Sequence, residues 1–169
     1  VEGFREKYGM EYRRAYWEGT ANQHLGNEHY RRIFPLLKKR YLYSGVDYFE
    51  LFDLVHDAHV HESAFCYVNG TEAERSLVLY NNQYEMVEGT IKHASPKLMK
   101  QDETKQTISI TLAESLGLTL SGRRFVIWDN FSDGLTYMKP SLNLFDDGLW
   151  VHLWGFETRV FLNIREVEH

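Results

Sequence analysis

The sequence predicts a mainly β protein in which a short helical segment precedes an antiparallel β-sandwich. Up to about residue 61, apolar residues recur every three or four positions, as in the stretch Tyr30–Leu37, and beyond it they mostly alternate, as in Leu149–Trp154. These periods are typical of helices and of strands. Turn residues then recur roughly every 8 to 15 positions, a spacing typical of a sandwich. We therefore predict two structural units, a helical and junction part over 1–61 and a β-sandwich domain over 62–169.

Two helices are predicted at the start of the chain. In the range 4–17, four aromatic residues are spaced by four, so they would share one helix face. A second helix would begin after the N-cap Asn27 and run to Arg40, with Gly45 as its C-terminal stop. Pro35 is expected to kink this helix or to split it in two.

Residues 46–61 join the helices to the predicted strands. They carry too many apolar side chains for an exposed linker, so we expect them to pack against a neighbouring part of the protein. The junction ends in a run of residue types that zinc sites use: His56, Asp57, His59, His61 and Glu62. No partner at a recognisable spacing lies elsewhere in the chain. A polar junction loop is therefore the preferred interpretation, and a His-cluster metal-binding protein is a remote alternative.

Eight strands are predicted in the β part, over 64–69, 75–81, 86–93, 106–111, 123–130, 134–138, 149–154 and 157–165. The first two form a hairpin with a short loop, and the polar residues 94–105 form a surface loop. Thr111 and Glu114 have the capping-box spacing, which predicts a short helix after Thr111. Pro140 is expected to open one turn of helix that Gly148 closes.

Composition and charge exclude several classes of protein. The chain is 43% hydrophobic and 25% charged, as soluble globular proteins are. Its formal net charge is −5 and no basic stripe dominates, so we expect no nucleic-acid partner. No apolar run approaches about 18 residues, so no membrane partner is expected. The chain begins at Val1 without a leader segment, from which we expect that the true N-terminus is missing. The sequence does not determine the cellular compartment, and the cytoplasm is slightly favoured.

The sequence predicts no catalytic residue and no cofactor. It has no Gly-x-Ser-x-Gly, no Walker loop and no Gly-x-Gly-x-x-Gly. The single cysteine, Cys66, lies within an apolar predicted strand and is interpreted as a buried structural thiol. Paired carboxylates could cleave glycosidic bonds, but the candidate residues lie in sequence contexts typical of turns: Asp129, Asp133, Asp146 and Asp147.

The predicted strand Leu149–Trp154 carries the most distinctive surface. Alternation places Trp150, His152 and Trp154 on one face, opposite three aliphatic residues. The two tryptophans would lie roughly 13 Å apart, which suits an aromatic platform for two sugar rings. Packing of this face against another domain or against the short helices is the favoured alternative.

Several strings of the sequence stand out together. In the N-terminal part they are FREKYGMEYRRAYW and HYRRIFPLLKKRYLYSGVDYFELFDL, and in the β part they are AFCYVNG, AERSLVLYNNQY and TLAESLGL. The C-terminal run is DGLTYMKPSLNLFDDGLWVHLWGFETRVFLNIREV. Over nearly the whole chain, these strings resemble the last part of a group of bacterial glycosidases in the α-amylase family, glycoside hydrolase family 13.

The resemblance implies a catalytic (β/α)8 barrel followed by a C-terminal antiparallel β-sandwich. Residues 1–45 would be helical material from the end of the barrel, and residues 62–169 would be the sandwich. The family's Asp nucleophile, Glu general acid and second Asp lie on barrel strands, and none of the motifs that carry them is found here. His56-Asp57 is superficially similar to the family's His-Asp motif, but it follows the barrel-type helices, so its role is not carried over.

The resemblance also implies a function, that of a non-catalytic accessory β-domain. Such a domain would serve the stability of the enzyme and pack against the catalytic barrel of the parent chain. The parent would hydrolyse or transfer α-glucosidic bonds, and this chain alone would be inactive. The alternative is a carbohydrate-binding module that uses Trp150, His152 and Trp154, with an α-glucan as its ligand.

Overall fold

A computed structural model describes residues 23–101 and 104–168. These residues belong to two compact units, the first ending at Arg40 and the second beginning at Tyr41, and each is described by itself. The described part of the chain is mainly β, with antiparallel strands in a curled sheet and few helices. None of the described helices is long and apolar enough to cross a membrane. The helix predicted over 4–17 lies outside the described residues.

The described part of the first unit is a helix, α1 (Gln23–Lys38). It already includes Asn27, so the prediction that Asn27 caps it is wrong. Pro35 lies inside the helix and does not split it, although proline has no N–H to donate to the preceding turn. The rings of Tyr30 and Phe34 stack at a centroid distance of 4.9 Å, as expected for residues four apart on one helix face. A short 3₁₀ turn, Arg40–Leu42, follows.

The described residues of the second unit form eleven strands and two short helices. The helices are α2 (Leu112–Ser115) and α3 (Ser141–Asp146). In chain order the strands are β1 (Glu50–His56), β2 (His59–Val60), β3 (Ala64–Gly70), β4 (Arg75–Asn81), β5 (Val87–Ala94), β6 (Lys97–Gln101), β7 (Thr104–Ile108), β8 (Arg124–Asn130), β9 (Leu135–Pro140), β10 (Leu149–Leu153) and β11 (Thr158–Glu168).

Nine of these strands form a single antiparallel sheet. Its order is β10-β5-β1-β3-β4-β11-β8-β9, and β2 pairs with β1 beside this path. The strands β6 and β7 form a separate hairpin. The sheet has β10 and β9 at its two edges, and its curl brings the inner sides of the long strands around one core. The hydrogen bonds thus connect one curled sheet rather than two separate ones.

The strand β1 lies in the segment that was predicted as a junction. Phe52 and Leu54 point into the core and are 1% and 0% exposed, while their neighbours point outward. Alternation does not reveal this strand, because apolar residues occupy both of its faces. β1 pairs with β3 along one edge and with β5 along the other. The β part therefore begins before residue 62, in a compact unit that starts at Tyr41.

The polar stretch 94–105, which was predicted as a surface loop, contains most of the hairpin β6–β7 instead. The strand predicted over 106–111 lies at Thr104–Ile108. Both hairpin strands consist mostly of polar residues, so they lack the apolar face by which a strand is recognised in a sequence. The other seven predicted strands agree with the structure to within about three residues at each end, as is usual for element boundaries.

The core lies between the inner side of the sheet and the two short helices. From the sheet it receives Phe52, Leu54, Cys66, Val68, Leu77, Leu79, Val87, Ile91, Val126, Trp128, Leu149, Val151, Leu153 and Phe161. From α2 it receives Leu112 and Ala113, and from α3 it receives Leu144. A single cluster that draws on so many strands explains why the sheet must curl, because a flat sheet would leave much of this apolar surface in water.

The predicted helix boundaries around α2 and α3 are confirmed. The Glu114 amide donates to the Thr111 hydroxyl at 3.3 Å, and the Thr111 amide donates to the Glu114 carboxylate at 2.8 Å, which completes the capping box. Pro140 precedes α3. Gly148 follows it with a φ of 74°, a left-handed conformation that glycine adopts without strain.

Asn81 is a fully buried polar residue that ties two connections of the sheet together. Its side chain is 0% exposed. Its Nδ2 donates to the carbonyl oxygens of Glu85 at 2.7 Å, Trp154 at 3.0 Å and Leu153 at 3.4 Å. All three partners are acceptors, so the side chain must present a donor here. Asn81 therefore holds the β4–β5 connection against the β10–β11 connection.

We predict that Asn81→Asp lowers the free energy of unfolding by roughly 2–4 kcal/mol, because a carboxylate would lose the buried donors and face carbonyl oxygens. Urea unfolding followed by tryptophan fluorescence measures this loss. Asn82→Asp is the matched control, since the exposed side chain of Asn82 accepts a hydrogen bond from the Tyr80 hydroxyl, as a carboxylate also would. An equal loss in both variants would contradict the role of Asn81.

Candidate functional site

The alternation predicted for β10 is present in the structure. Leu149, Val151 and Leu153 are buried in the core. Trp150 and Trp154 lie on the opposite side and are 53% and 63% exposed, and His152 between them is half-buried. Because β10 is an edge strand that pairs only with β5 in the described sheet, this row of rings lies along a border of the sheet.

The ring contacts divide this row into two pairs. The Trp150 ring meets the His56 ring of β1 edge-on, at a centroid distance of 5.3 Å and an interplanar angle of 89°. The Trp154 ring meets the His152 ring in the same manner, at 4.6 Å and 84°. The contact with His56 could not be found from the sequence, because it depends on the pairing of β5 with both β1 and β10.

Two of the four carboxylates considered for glycosidic chemistry, Asp129 and Asp133, take part in local hydrogen bonds. Asp133 accepts from the Tyr137 hydroxyl at 2.7 Å, from the Asn130 amide group at 2.7 Å and from the Leu135 backbone at 2.8 Å. These donors, with the Tyr137 hydroxyl foremost, lower the pKa of Asp133. A general acid needs the opposite shift. Asp129 accepts from the side chains of Thr136 and Asn163.

The histidine run does not assemble a metal site in the part of the chain that the structure describes. The rings of His56 and His61 lie 6.4 Å apart, and the Nε2 of His56 lies 3.7 Å from an oxygen of Asp57. Among the described residues, no group of three or more His, Cys, Asp or Glu side chains converges as a metal ion requires.

Cys66 faces the core, as the sequence predicts. It is 0% exposed and makes no disulfide. Burial, with a smaller contribution from the charge of Asp53, raises the pKa of the Cys66 thiol to about 12. The thiol therefore stays protonated at neutral pH and cannot serve as a nucleophile.

The outer side of the sheet carries an exposed apolar surface, which we call the outer apolar face. Its side chains are 36–53% exposed and belong to four strands: Leu51 and Val55 of β1, Val60 of β2, Phe65 of β3 and Trp150 of β10. Val55 lies opposite Val60 and also opposite Thr90, and Thr90 lies opposite Trp150. The arrangement can bind another apolar surface.

The sequence predicts that Leu51 and Val55, as part of the apolar segment 46–61, pack against a neighbouring part of the protein, and alternation places Trp150 opposite the aliphatic residues of its strand. Val60 belongs to the same apolar segment, whereas Phe65 lies outside it and had no such signal. Which of their side chains would turn outward could be decided only when Phe52 and Leu54 were seen to fill the inner face.

Comparison with known proteins finds no relative that would support assignment to a family. No family model matches the sequence, and no curated protein or solved structure is significantly similar to it. The roles of the residues described above therefore depend on their geometry.

We predict that the Cys66 thiol of the native protein does not react with a disulfide reagent at about pH 8, whereas the urea-unfolded protein reacts completely. A pKa of about 12 leaves a thiolate fraction on the order of 10⁻⁴ at that pH, and burial excludes the reagent. The absorbance of the released thiol measures the reaction. Rapid reaction of the folded protein would show an accessible thiolate and contradict the structural role.

Proposed function

We propose that this chain is the non-catalytic C-terminal β-domain of a glycosidase of the α-amylase family, and that it stabilises the enzyme by packing against the catalytic barrel. The curled sheet would correspond to the family's C-terminal sandwich, and the residues before Tyr41 would come from the end of the barrel. The parent protein would hydrolyse or transfer α-glucosidic bonds. The outer apolar face is the observation that carries the packing role, and the resemblance of the sequence supplies the family.

The outer apolar face lies outside the core of the β-unit. The core is complete on the other side of the sheet, where residues such as Leu54 and Cys66 are 0% exposed. Exposed apolar patches of about 300–600 Å² commonly mark interaction sites in monomeric proteins. A catalytic barrel in the same chain would cover this face permanently. The face would then be exposed to water only in the separate β-unit and not in the whole enzyme.

The segment that leads into the sheet is attached to it firmly. The hydroxyls of Tyr43 and Ser76 are hydrogen-bonded at 2.9 Å, and Ser76 is 0% exposed. The side chain of Asn69, which is 5% exposed, donates to the Gly45 carbonyl oxygen at 3.1 Å. A fixed entry of the chain favours packing between domains, because it limits the orientations in which a preceding domain could be held.

The chemistry of the described residues also favours a non-catalytic role. Cys66 is buried and protonated, Asp133 has a lowered pKa, and the histidine run does not converge. We therefore expect the purified chain to leave maltooligosaccharides intact.

We predict that Leu51→Lys and Phe65→Lys change the melting temperature of the separate chain by less than about 3 °C, because both side chains already contact water. In the protein extended upstream through the proposed barrel, each substitution should lower stability by roughly 1–3 kcal/mol, since a charge would then be buried. Differential scanning calorimetry of both proteins measures the two effects.

Leu135→Lys is the control for this experiment, because Leu135 is 58% exposed at the start of the opposite edge strand. It should leave the stability of both proteins unchanged. Three results would overturn the proposal: cleavage of maltooligosaccharides by the separate chain, an upstream sequence without a barrel, or an equal effect of all three substitutions in the extended protein.

A carbohydrate-binding module is the second candidate function. It is favoured by the exposure of Trp150 and Trp154 on one side of an edge strand, with His152 between them. Exposed aromatic rings with a polar neighbour can stack on sugar rings and hydrogen-bond to their hydroxyls.

We predict for this candidate that amylose retards the wild-type protein in a native affinity gel and that Trp150→Ala or Trp154→Ala abolishes the retardation. Phe65→Ala is the control, because Phe65 is similarly exposed but lies on β3. Equal migration of all four proteins with and without amylose would exclude the module. Loss of retardation with Phe65→Ala as well would indicate a different surface.

A further inference from the structure

The free edge of β10 lacks the features that usually protect an edge strand. β10 pairs with β5 along one side, and along the other side it has no partner strand in the described sheet. Proteins commonly protect such an edge with lysine, proline or a β-bulge, because it presents unpaired N–H and C=O groups. The opposite edge strand, β9, carries Lys139 and Pro140. β10 has neither residue type, and its register with β5 is regular over all five residues, so its edge can accept another strand.

The sequence along this edge is nearly the same in both directions when it is read outward from His152. One position away on either side stand the aliphatic residues Val151 and Leu153, and two positions away stand Trp150 and Trp154. When two copies of a strand pair antiparallel about a two-fold axis, each residue meets the residue at the same distance beyond the axis. Pairing about His152 would therefore place similar side chains opposite each other.

The side chains of β10 are arranged in a way that suits this pairing. Trp150 and Trp154 are both more than half exposed, while Val151 and Leu153 are buried in the core on the other side. Aromatic residues directly opposite each other on antiparallel strands stabilise a sheet. A two-fold pairing would form the contact between Trp150 and Trp154 twice, once on each side of the axis, and would withdraw these rings from water.

The position of Trp154 at the end of the strand is fixed by its own chain. Its amide donates to the Glu157 carboxylate at 2.7 Å, and its carbonyl oxygen accepts from the buried Asn81 side chain at 3.0 Å. Its ring meets the His152 ring edge-on at a centroid distance of 4.6 Å. Trp154 would therefore contribute its ring to the pairing, while the backbone hydrogen bonds would come from 151–153. An edge that is already ordered loses little conformational freedom when it pairs.

We infer that two copies of this chain form a symmetric dimer by antiparallel pairing of β10 with β10 about His152. A second copy is the partner that this edge fits, because the strand is complementary to itself in the two-fold arrangement. The pairing adds a strand to an open sheet edge, a common mode of recognition between proteins. It would join the sheets of the two copies across the axis.

The size of the pairing surface predicts a weak dimer. A tryptophan side chain buries up to about 250 Å², so two half-exposed rings and a short strand edge offer on the order of 400 Å² in each copy. A stable interface buries about 800 Å² on each partner. We therefore expect a dissociation constant of roughly 0.05–0.5 mM.

This inference goes beyond the proposed function and does not depend on it. Packing against a barrel would use the outer apolar face, whereas the dimer uses the backbone edge of β10. Trp150 belongs to both surfaces, but a cross-strand contact lies within the plane of the sheet and leaves the outer side of its ring available. The carbohydrate-binding candidate uses the same row of rings with a different ligand, and an experiment without sugar does not report on it.

Sedimentation equilibrium of the full chain at about 10 µM to 1 mM tests the dimer. We expect the average mass of the wild type to rise with concentration from that of one chain towards that of two. His152→Glu and His152→Lys should each weaken association roughly tenfold, because two like charges would then meet at the axis. An equimolar mixture of the two variants should restore association at least to the wild-type level, because glutamate then faces lysine. This restoration is expected only if position 152 meets its own copy.

Met138→Glu and Met138→Lys are the matched controls, since Met138 is 63% exposed on the opposite edge strand. They should associate like the wild type, alone and when mixed. His152 also lies opposite Glu88 of β5, so a thermal melt checks that each variant stays folded. Trp154→Ala is the second variant, and it should weaken association about threefold to tenfold through the lost ring contact.

Three results would overturn the inference: a wild type that stays monomeric at about 1 mM, a mixture of folded His152 variants that associates no better than each alone, or association that the Met138 variants remove. If a His152 variant does not fold, wild-type association that is unchanged by Trp154→Ala overturns it. Calorimetry of the outer-face variants is unaffected by any of these results, so a failure of the dimer is distinguishable from a failure of the barrel packing.

Discussion

The hydrogen bonds that β1 makes along both of its edges hold the sheet together. On one side β1 pairs with β3, which leads to β4, β11, β8 and β9, and on the other it pairs with β5, which leads to β10. Without β1 the main path of the sheet would be divided into a two-stranded part, β5 and β10, and a part made of the five strands from β3 to β9. Phe52 and Leu54, which are nearly inaccessible to water, fix which face of β1 turns inward, because a shift of one residue would expose both of them.

The surfaces available for binding follow from this arrangement. The inner side of the curled sheet is filled by one core, so recognition is left to the outer side, to the edges and to the connections at the strand ends. The outer apolar face includes the outward residues of β1, and Trp150 joins it because β5 pairs with both β1 and β10. At one end of the sheet, buried hydrogen bonds from Asn81 hold the turn after β10 against the connection between β4 and β5.

Much of the fold could be predicted where a strand has one apolar face. β3 and β10 were found to within about one residue, because their buried and more exposed residues largely alternate, and the capping box of α2 was found from two residues. β1 was missed because both of its faces are apolar, and β6 was missed because it lies in a mostly polar stretch, whereas β7 was predicted two to three residues too late. At the candidate site, the alternation of residues correctly placed Trp150, His152 and Trp154 on one side of the strand. The contact of Trp150 with His56 joins distant strands, so no local sequence pattern indicates it.

The sequence by itself determined that the chain is mainly β and antiparallel, where most of its strands and short helices lie, and that Cys66 is a buried thiol. These features depend on local periodicity, turn chemistry and capping, which neighbouring residues specify among themselves. Only the tertiary structure decided that β1 belongs to the sheet, which side of it stays exposed, and that Gly155 and Phe156 meet Tyr84 at one end. These features arise where segments far apart in the chain approach each other. At this end of the sheet, the close contact of two backbones, rather than local preference, requires glycine at position 155 and leaves the left-handed conformation to Phe156.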